Sequence, residues 1–461
     1  MLWPETTTRD STGRMVIGGI TLFELAERFG TPLYVFDEQT LRARARRFVS
    51  AMTAAHANSR VLYAGKAYLS PAIVRILHEE GLGLDVVSGG ELYGALLAGV
   101  PVSDITFHGN NKSEAELREA IEAGVGYIAV DNDLELDRLI EISGAIERFD
   151  VKKPNSIGTS NEDGSQLGTR VPLLLRLNPG IDVHTHDKIK TGAVDSKFGF
   201  PLWTGDAEAA CAKAAAAPNL DLAGFHVHLG SQLFDPAASR LAVRRLVEFA
   251  AAMRERYGVE TRVISPGGGF GIAYTEQDEE STFAEWADVA ADEMKEACDE
   301  HGLPMPELTV EPGRSIVGPA AVALYEVGAS KRIEGVRHYV SVDGGMADNI
   351  RPSLYGAVYT AEIANRAAGG PAETVTIAGR FCESGDILIQ EARLPELHPG
   401  DLLAMPSAGA YALPMASNYN AVPRPAVVLV NDGAARLIRR RETYADVFAS
   451  EIVATDRPGD G

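Results

Sequence analysis

Residues 61–87, VLYAGKAYLSPAIVRILHEEGLGLDVV, contain the pattern that decides the fold. Two short apolar runs, Val61–Tyr63 and Leu84–Val87, stand on either side of a longer stretch of mixed character. The alternation continues with further apolar runs at Ile105–Phe107, Tyr127–Val130, Leu173–Leu177, Leu222–Val227, Arg262–Ile264 and Leu308–Val310. Helical stretches separate them, for example Ser113–Ala123, Ala237–Tyr257 and Ser281–Glu300. Strand candidates that alternate with helices in this way predict a (β/α)8 TIM-like barrel.

The rest of the chain predicts a second, β-rich domain of sandwich or barrel type over residues 312–461. Its strand-like runs are Ala321–Val327, His338–Val342, Thr374–Ile377, Asp401–Met405 and Ala426–Val430. Residues 1–37, which include the strand-like Leu33–Phe36, are expected to pair with that domain, and the barrel is expected to span 38–311. A polar segment rich in Gly, Ser and Asn, residues 151–170, is interpreted as an insertion into the barrel.

Composition excludes several classes of partner. The 461 residues carry 64 acidic and 43 basic side chains, a formal charge of −21, which argues against a nucleic-acid or anionic-membrane partner. The three cysteines form no CxxC pair, so neither a disulfide framework nor a structural zinc site is expected. The N-terminus shows no signal-peptide pattern and no apolar run is long enough to span a bilayer, so we expect a cytoplasmic protein.

Polar residues follow each predicted barrel strand, where barrel enzymes carry their active sites. Lys66 follows the first strand. Burial there would lower the pKa of its amine and favour Schiff-base chemistry, although a lysine at the barrel rim is the alternative. The run Pro266–Gly271 follows the seventh strand, and its consecutive glycines favour either a phosphate site or simply a tight turn.

Three other short motifs are candidates for the chemistry. Glu311 and Arg314, in EPGR, could serve a pyridine nitrogen and an anionic group, or form a surface ion pair. His226 and His228 alternate on a strand, and stacking of an imidazole on a cofactor ring is a better interpretation than metal binding because no third ligand has suitable spacing. Cys382 could be a proton donor or a packed structural residue.

Taken together, these motifs identify a family resemblance. The motifs follow one another over nearly the whole chain. In chain order they are YAGKA, HGNNK, RLNPG, KFGF, HVHLGSQ, GGGFG, EPGR, RPSLYGA, CESGD and GAYALPMASNYN. This series resembles the fold-type III pyridoxal-phosphate-dependent decarboxylases, and most of all their diaminopimelate decarboxylase branch. One departure is Tyr68 after Lys66-Ala67, where the family more usually has Asn.

The resemblance implies a role for each matching residue. Lys66 would bind pyridoxal 5′-phosphate as a Schiff base, Glu311 would contact the pyridine nitrogen and His226 would stack on the ring. The phosphate-binding positions would be Ser231, Gly269, Gly313, Arg314 and Tyr411. The substrate-binding positions would be Arg314, Arg351, Tyr355, Glu383 and Tyr411. Cys382 would protonate the carbanion, and in the family this cysteine comes from the second subunit of a homodimer.

The resulting prediction is a decarboxylase that forms L-lysine and CO2 from meso-2,6-diaminopimelate, with no metal. A cation at Arg351, near Tyr355, suits the distal carboxylate of that substrate, and Glu383 suits its distal ammonium. An ornithine, arginine or carboxynorspermidine decarboxylase is the first alternative, but a diamine-forming enzyme has no use for Arg351. The second alternative is a catalytically silent relative, against which the joint presence of Lys66, Glu311 and Cys382 argues.

Overall fold

A computed structural model describes residues 2–146, 170–181, 195–278 and 282–452. The predicted insertion at residues 151–170 lies outside the described residues except for Arg170. The chain forms two compact units. The β unit consists of Met1–Thr40, Tyr274–Gln277 and Gly318–Gly461, and the barrel unit consists of Leu41–Ala273 and Asp278–Val317.

The N-terminal part of the β unit supplies a central strand. Its elements are strands β1 Thr8–Arg9, β2 Met15–Ile17 and β3 Ile20–Thr21, helix α1 Leu22–Phe29 and strand β4 Leu33–Asp37. All five residues of β4 are buried, as expected of a strand covered on both faces.

The barrel unit contains eight parallel strands that close on themselves, which confirms the predicted fold. In chain order they are β5 Ser59–Ala64, β6 Gly83–Val86, β7 Ile105–Phe107, β8 Tyr127–Val130, β9 Val171–Asn178, β11 Leu220–His226, β12 Val263–Gly267 and β13 Glu307–Val310. The closing pair is β13 with β5. A two-residue strand, β10 Phe200–Pro201, adds to β9. Each predicted apolar run is thus a strand, because parallel barrel strands are apolar on both faces.

Helices connect the barrel strands, and their ends follow local sequence signals. Their bounds are α2 Glu38–Ala55, α3 Pro71–Glu79, α4 Gly89–Ala98, α5 Glu114–Ala123, α6 Asp133–Ile146, α7 Asp206–Ala216, α8 Ala237–Tyr257, α9 Phe283–His301 and α10 Arg314–Val317. Helix α5 begins with a capping box formed by Ser113 and Glu116 and ends at Gly124 in the left-handed conformation. Short 3-10 turns occur at Gly65–Ala67 and Val102–Asp104.

The C-terminal part of the β unit is a mainly antiparallel sheet. Its strands are β14 Ala321–Ile333, β15 Arg337–Val342, β16 Glu362–Ile363, β17 Glu373–Ala378, β18 Ile387–Leu394, β19 Leu402–Met405, β20 Ala426–Asn431 and β21 Ala434–Arg439. Helices α11 Arg351–Tyr355 and α12 Tyr444–Val447 are short, as are 3-10 turns at Leu413–Met415 and Tyr419–Ala421. Strand β4 lies between β14, antiparallel to it, and β20, parallel to it.

The core of the β unit shows why the N-terminal strand belongs there. Leu33 and Val35 of β4 are fully buried together with Val322, Leu324 and Val428. Each such side chain contributes about 1.5–3 kcal/mol through burial. Of the described helices, none is both long enough and apolar enough to cross a membrane.

Candidate active site

The carboxyl-terminal ends of the barrel strands surround a cavity of about 350 Å³. The residues that line it include Lys66, Asp85, His108, Arg176, His226, His228 and Glu311. The volume falls within the range of small-molecule sites. These residues are far apart in the sequence and meet here because parallel strands end at the same edge of a barrel.

Lys66 lies in the 3-10 turn after β5, and its side chain is exposed, which agrees with the alternative of a lysine at the barrel rim and not with burial. The turn buries Gly65 and Ala67 on either side and leaves the side chain of Lys66 exposed. Because Lys66 lines the cavity, its amine is accessible to a molecule bound there.

Glu311, at the end of β13, is a buried carboxylate with two donors. His226 Nε2 lies 3.1 Å from its carboxylate, and the hydroxyl of Ser265 donates to Oε1 at 2.8 Å. Burial, the largest single influence, would raise the pKa of the Glu311 carboxyl, but the hydrogen bond from His226 and the charge interactions with the neighbouring histidines together outweigh burial and hold the pKa below its ordinary value. Glu311 therefore presents a negative charge inside the cavity.

Asp85 is a second buried carboxyl in the same cavity, and it behaves in the opposite way. Burial, with repulsion from Glu311, raises the pKa of Asp85 well above its ordinary value. Its Oδ1 lies 3.4 Å from His108 Nε2. Burial lowers the pKa of His108, so that imidazole is neutral. Neighbouring carboxyls whose pKa values diverge in this way are typical of acid–base sites.

The buried Lys112 supports the loop that carries His108. Its Nζ donates to the carbonyls of Gly109 at 2.7 Å and Ala129 at 2.8 Å, and it lies 2.6 Å from Glu135 Oε1. Three acceptors around one ammonium group account for its three protons. We interpret Lys112 as a support for the cavity wall rather than a reactive amine.

Three of the phosphate-binding candidates lie close together at the ends of β11, β12 and β13. The guanidinium of Arg314 donates to the hydroxyl of Ser231 at 2.8 Å. Gly269 has φ +102°, and a Cβ at this position would lie 2.3 Å from the carbonyl oxygen of Gly230. Only glycine permits that approach of the two turns. Gly313 precedes Arg314 and packs against Ala64 and Ala67, on either side of the Lys66 turn.

The remaining candidates, Arg351, Tyr355, Cys382, Glu383 and Tyr411, belong to the β unit. Arg351 is 5% exposed at the start of α11. It donates to the hydroxyl of Tyr359, and its guanidinium lies 4.7 Å from the ring centre of Tyr274. Burial would lower the pKa of Arg351, but these two tyrosines raise it above its ordinary value. No carboxylate forms an ion pair with Arg351 within the described parts of the chain, so a buried cation is available for an anion.

Cys382 and Glu383 lie exposed in the loop between β17 and β18. The amide of Cys382 donates to Asn420 Oδ1 at 3.1 Å, and the hydroxyl of Tyr419 donates to Glu383 Oε1 at 2.9 Å. Tyr355 and Tyr411 are half-buried, and Tyr411 has φ +61°.

Several side chains of the site were missed by sequence reasoning. Ser265 stands directly before the glycine-rich run, and Lys112 is the last residue of the quoted HGNNK motif, but neither was given a role. Tyr274 and Tyr359 gave no sequence signal of their own, because their role depends on contact with Arg351.

The family comparison agrees with this geometry. The model of the pyridoxal-dependent decarboxylases, pyridoxal binding domain, matches residues 38–318. The chain therefore belongs to the class of pyridoxal-dependent decarboxylases. A diaminopimelate decarboxylase of Bacillus subtilis (strain 168) is 45% identical, with 97% of each chain covered. Within the class, the chain is a member of the diaminopimelate decarboxylase family.

Solved structures give the same picture. Diaminopimelate decarboxylase from M. jannaschii, in co-complex with L-lysine, has a TM-score of 0.88 and 35% identity, with 98% of this chain and 99% of that chain covered. The lysine/ornithine decarboxylase of Vibrio vulnificus, complexed with putrescine, is less similar, with a TM-score of 0.69 and 25% identity over 89% of this chain and 98% of that one.

Proposed function

We propose that this chain is a pyridoxal-phosphate-dependent carboxy-lyase that converts meso-2,6-diaminopimelate into L-lysine and CO2, the last step of lysine biosynthesis. The observation that carries the proposal is the cavity in which the amine of Lys66 and the buried carboxylate of Glu311 face the same space. Relatives named diaminopimelate decarboxylase at 41–45% identity support the same substrate.

The residues around the cavity fit pyridoxal 5′-phosphate. Buried polar atoms without a hydrogen-bond partner among the described residues include His226 Nδ1, His108 Nε2 and Asp85 Oδ1, so the cavity wall favours a polar occupant. Glu311 offers a negative charge, and Ser231, Gly269, Gly313 and Arg314 offer donors for a phosphate. When bound, the cofactor supplies an electron sink for the pair of electrons that the departing CO2 leaves behind.

Each side chain then has a definite task. The Lys66 amine would hold the cofactor. Glu311, held by His226 and Ser265, would hold a proton at the ring nitrogen, and His226 would bind the ring. Tyr411 joins the phosphate-binding residues, as the family resemblance implies. The Cys382 thiol returns a proton to the α-carbon.

Substrate choice rests on the β unit. Arg351 is a buried cation that lacks an anionic partner among the described residues, and the distal carboxylate of diaminopimelate is the matching anion. Glu383 receives the distal ammonium, and Tyr355 lies one helical turn after Arg351. L-ornithine has no distal carboxylate, so it would leave Arg351 without its anionic partner.

We further propose a cytoplasmic homodimer in which Cys382 acts in the active site of the second subunit. The three cysteines are free thiols, and Cys382 alone among them is exposed. Mixing Lys66→Ala with Cys382→Ala subunits tests the dimer. Half of the dimers would be mixed and each would carry one intact site, so activity should return to about a quarter of wild type. No recovery, with subunit exchange verified, would show that Cys382 does not act across an interface.

The proposed reaction is tested by incubating purified protein with meso-2,6-diaminopimelate and pyridoxal phosphate and following L-lysine by chromatography. We expect lysine formation that needs the added cofactor and disappears in Lys66→Ala. Cofactor binding without lysine formation would favour the catalytically silent alternative.

A further inference from the structure

Asp386 is a buried carboxylate in the same loop as Cys382 and Glu383, and it touches two segments of the β unit. It is 3% exposed. Its Oδ1 accepts a hydrogen bond from the amide of Met346 at 2.6 Å, and its Oδ2 accepts one from the amide of Phe381 at 2.8 Å. Met346 lies in the turn that leads into the Arg351 helix, whereas Phe381 directly precedes Cys382. The carboxylate of Asp386 therefore joins the turn before the Arg351 helix to the loop that carries Cys382.

Backbone and side-chain contacts close the same junction. The amide of Arg380 donates to the carbonyl of Gly344 at 3.1 Å, and the hydroxyl of Ser353, in the Arg351 helix, donates to the carbonyl of Gly385 at 2.6 Å. The amide of Asp386 itself donates to the carbonyl of Glu383 at 3.1 Å. The loop and the helix are thus joined at several points, with the carboxylate at the centre.

The glycine at position 379 makes room for this carboxylate. A Cβ there would lie 2.2 Å from Asp386 Oδ2, and the backbone of Gly379 does not have a left-handed φ. Space for the carboxylate, rather than backbone conformation, therefore requires glycine at this position. Gly385, in the same loop, would meet nothing within 4 Å and also has no left-handed φ.

We propose that Asp386 is a positioning residue that sets the Cys382–Glu383 loop against the Arg351 helix and so fixes the groups that recognise the distal end of the substrate. The inference rests on the proposed function, because it assigns Arg351 and Glu383 to the two distal groups of diaminopimelate. A carboxylate suits the task because both of its oxygens accept hydrogen bonds, whereas an amide offers one acceptor. Asp386 acts through its neighbours and does not itself contact the substrate.

Two pairs of variants test the proposal in the full-length enzyme. Asp386→Asn and Gly379→Ala should each raise the KM for meso-diaminopimelate about tenfold, because the distal contacts are misplaced. Gly385→Ala is the matched control for Gly379→Ala. Asp401→Asn is the control for Asp386→Asn, since Asp401 is a buried carboxylate that accepts from the amide of His398 at 2.7 Å elsewhere in the β unit. Both controls should stay within about twofold of wild type.

A combined variant separates positioning from general loss of stability. In a background that carries both Arg351→Ala and Glu383→Ala, Asp386→Asn should change the KM by less than about twofold, because both contacts through which it acts are already gone. Rates are compared at a temperature where all variants remain folded. A full tenfold effect in both backgrounds, or an equal effect of Asp401→Asn, would overturn the proposal.

Alkylation of Cys382 gives a readout that does not need the reaction. Cys211 and Cys298 are buried, so a thiol reagent reports on Cys382 in the folded protein. Asp386→Asn should change the alkylation rate at least about fivefold, with Asp401→Asn unchanged. If the wild type forms no lysine, the proposed function fails while this rate still decides the positioning. Equal rates in wild type and Asp386→Asn would overturn it.

Discussion

The barrel mouth, meaning the cavity around Lys66, His226 and Glu311, and the loop of the β unit that carries Cys382 and Glu383 hold their functional groups in different ways. Around Glu311 and His226, side chains are buried and paired at the ends of strands. Cys382 and Glu383 are exposed on a loop, and the buried carboxylate of Asp386 binds the backbone of that loop at Phe381. We infer that the barrel controls the electron sink, whereas substrate choice and the return of the proton by Cys382 depend on the β unit.

The largest effect is expected at Lys66. Replacing Lys66 by Ala removes the amine that attaches the cofactor, and kcat should fall by about three to four orders of magnitude. Lys295→Ala is the control, because Lys295 is an exposed lysine of α9 paired with Asp299. Borohydride reduction followed by peptide mapping should label Lys66 in the wild type. A label on another lysine would contradict the assignment of Lys66 as the residue that binds the cofactor.

Glu311→Gln should have the next largest effect. The amide keeps the shape of the side chain but removes the charge that holds a proton on the ring nitrogen, so kcat should fall by about two to three orders of magnitude. Glu307→Gln, at the opposite end of the same strand, should leave kcat nearly unchanged. If the Glu311→Gln enzyme kept a kcat close to that of the wild type, the charge of Glu311 would not be needed for the cofactor to act as an electron sink.

Arg351→Ala tests substrate recognition by the β unit separately from the chemistry of the barrel. It removes a charge-assisted contact worth about 1.5–3 kcal/mol, so kcat/KM for diaminopimelate should fall by about one to two orders of magnitude. The control Arg332→Ala removes an exposed arginine paired with Glu373 in the same unit. Equal losses in the two variants would remove the reason to assign the distal carboxylate to Arg351.

The carboxyl of Asp348 is expected to affect stability and not turnover. Asp348 is buried in the turn that leads to Arg351 and accepts hydrogen bonds from the hydroxyls of Tyr34 and Tyr325. Burial raises the pKa of Asp348 from 3.8 to about 6, so the folded state favours the protonated form. The stability that this group contributes is therefore complete below pH 3.8 and is lost as the pH rises through about 6.

Asp348→Asn removes this titration. Over that interval, the free energy of unfolding of the wild type should fall by about 3 kcal/mol relative to Asp348→Asn. Denaturant unfolding of both proteins from pH 4 to 8 measures the difference. A pH-independent difference between them would show that Asp348 does not titrate in this range.

The two regions also differ in how far the sequence predicts them. The barrel follows from apolar runs at regular spacing, and its site residues stand just after those runs, so Glu311 and His226 could be located from order alone. Exposure of the Lys66 side chain could not be predicted, because the strand stops at Ala64 and Lys66 belongs to the turn that follows. In the β unit, the motifs around Arg351 and Cys382 were visible, but the roles of Tyr359 and of Asp386, the last residue of CESGD, were not, since they depend on how separate loops meet.

Substrate selectivity is the most direct test of the central claim that this barrel enzyme acts on diaminopimelate. The measurement is kcat/KM for CO2 release from meso-2,6-diaminopimelate divided by that from L-ornithine, with the same purified protein and cofactor. The missing distal contact at Arg351 predicts a ratio of at least about ten. A ratio near or below one would contradict the account and assign the chain to the ornithine-type decarboxylases.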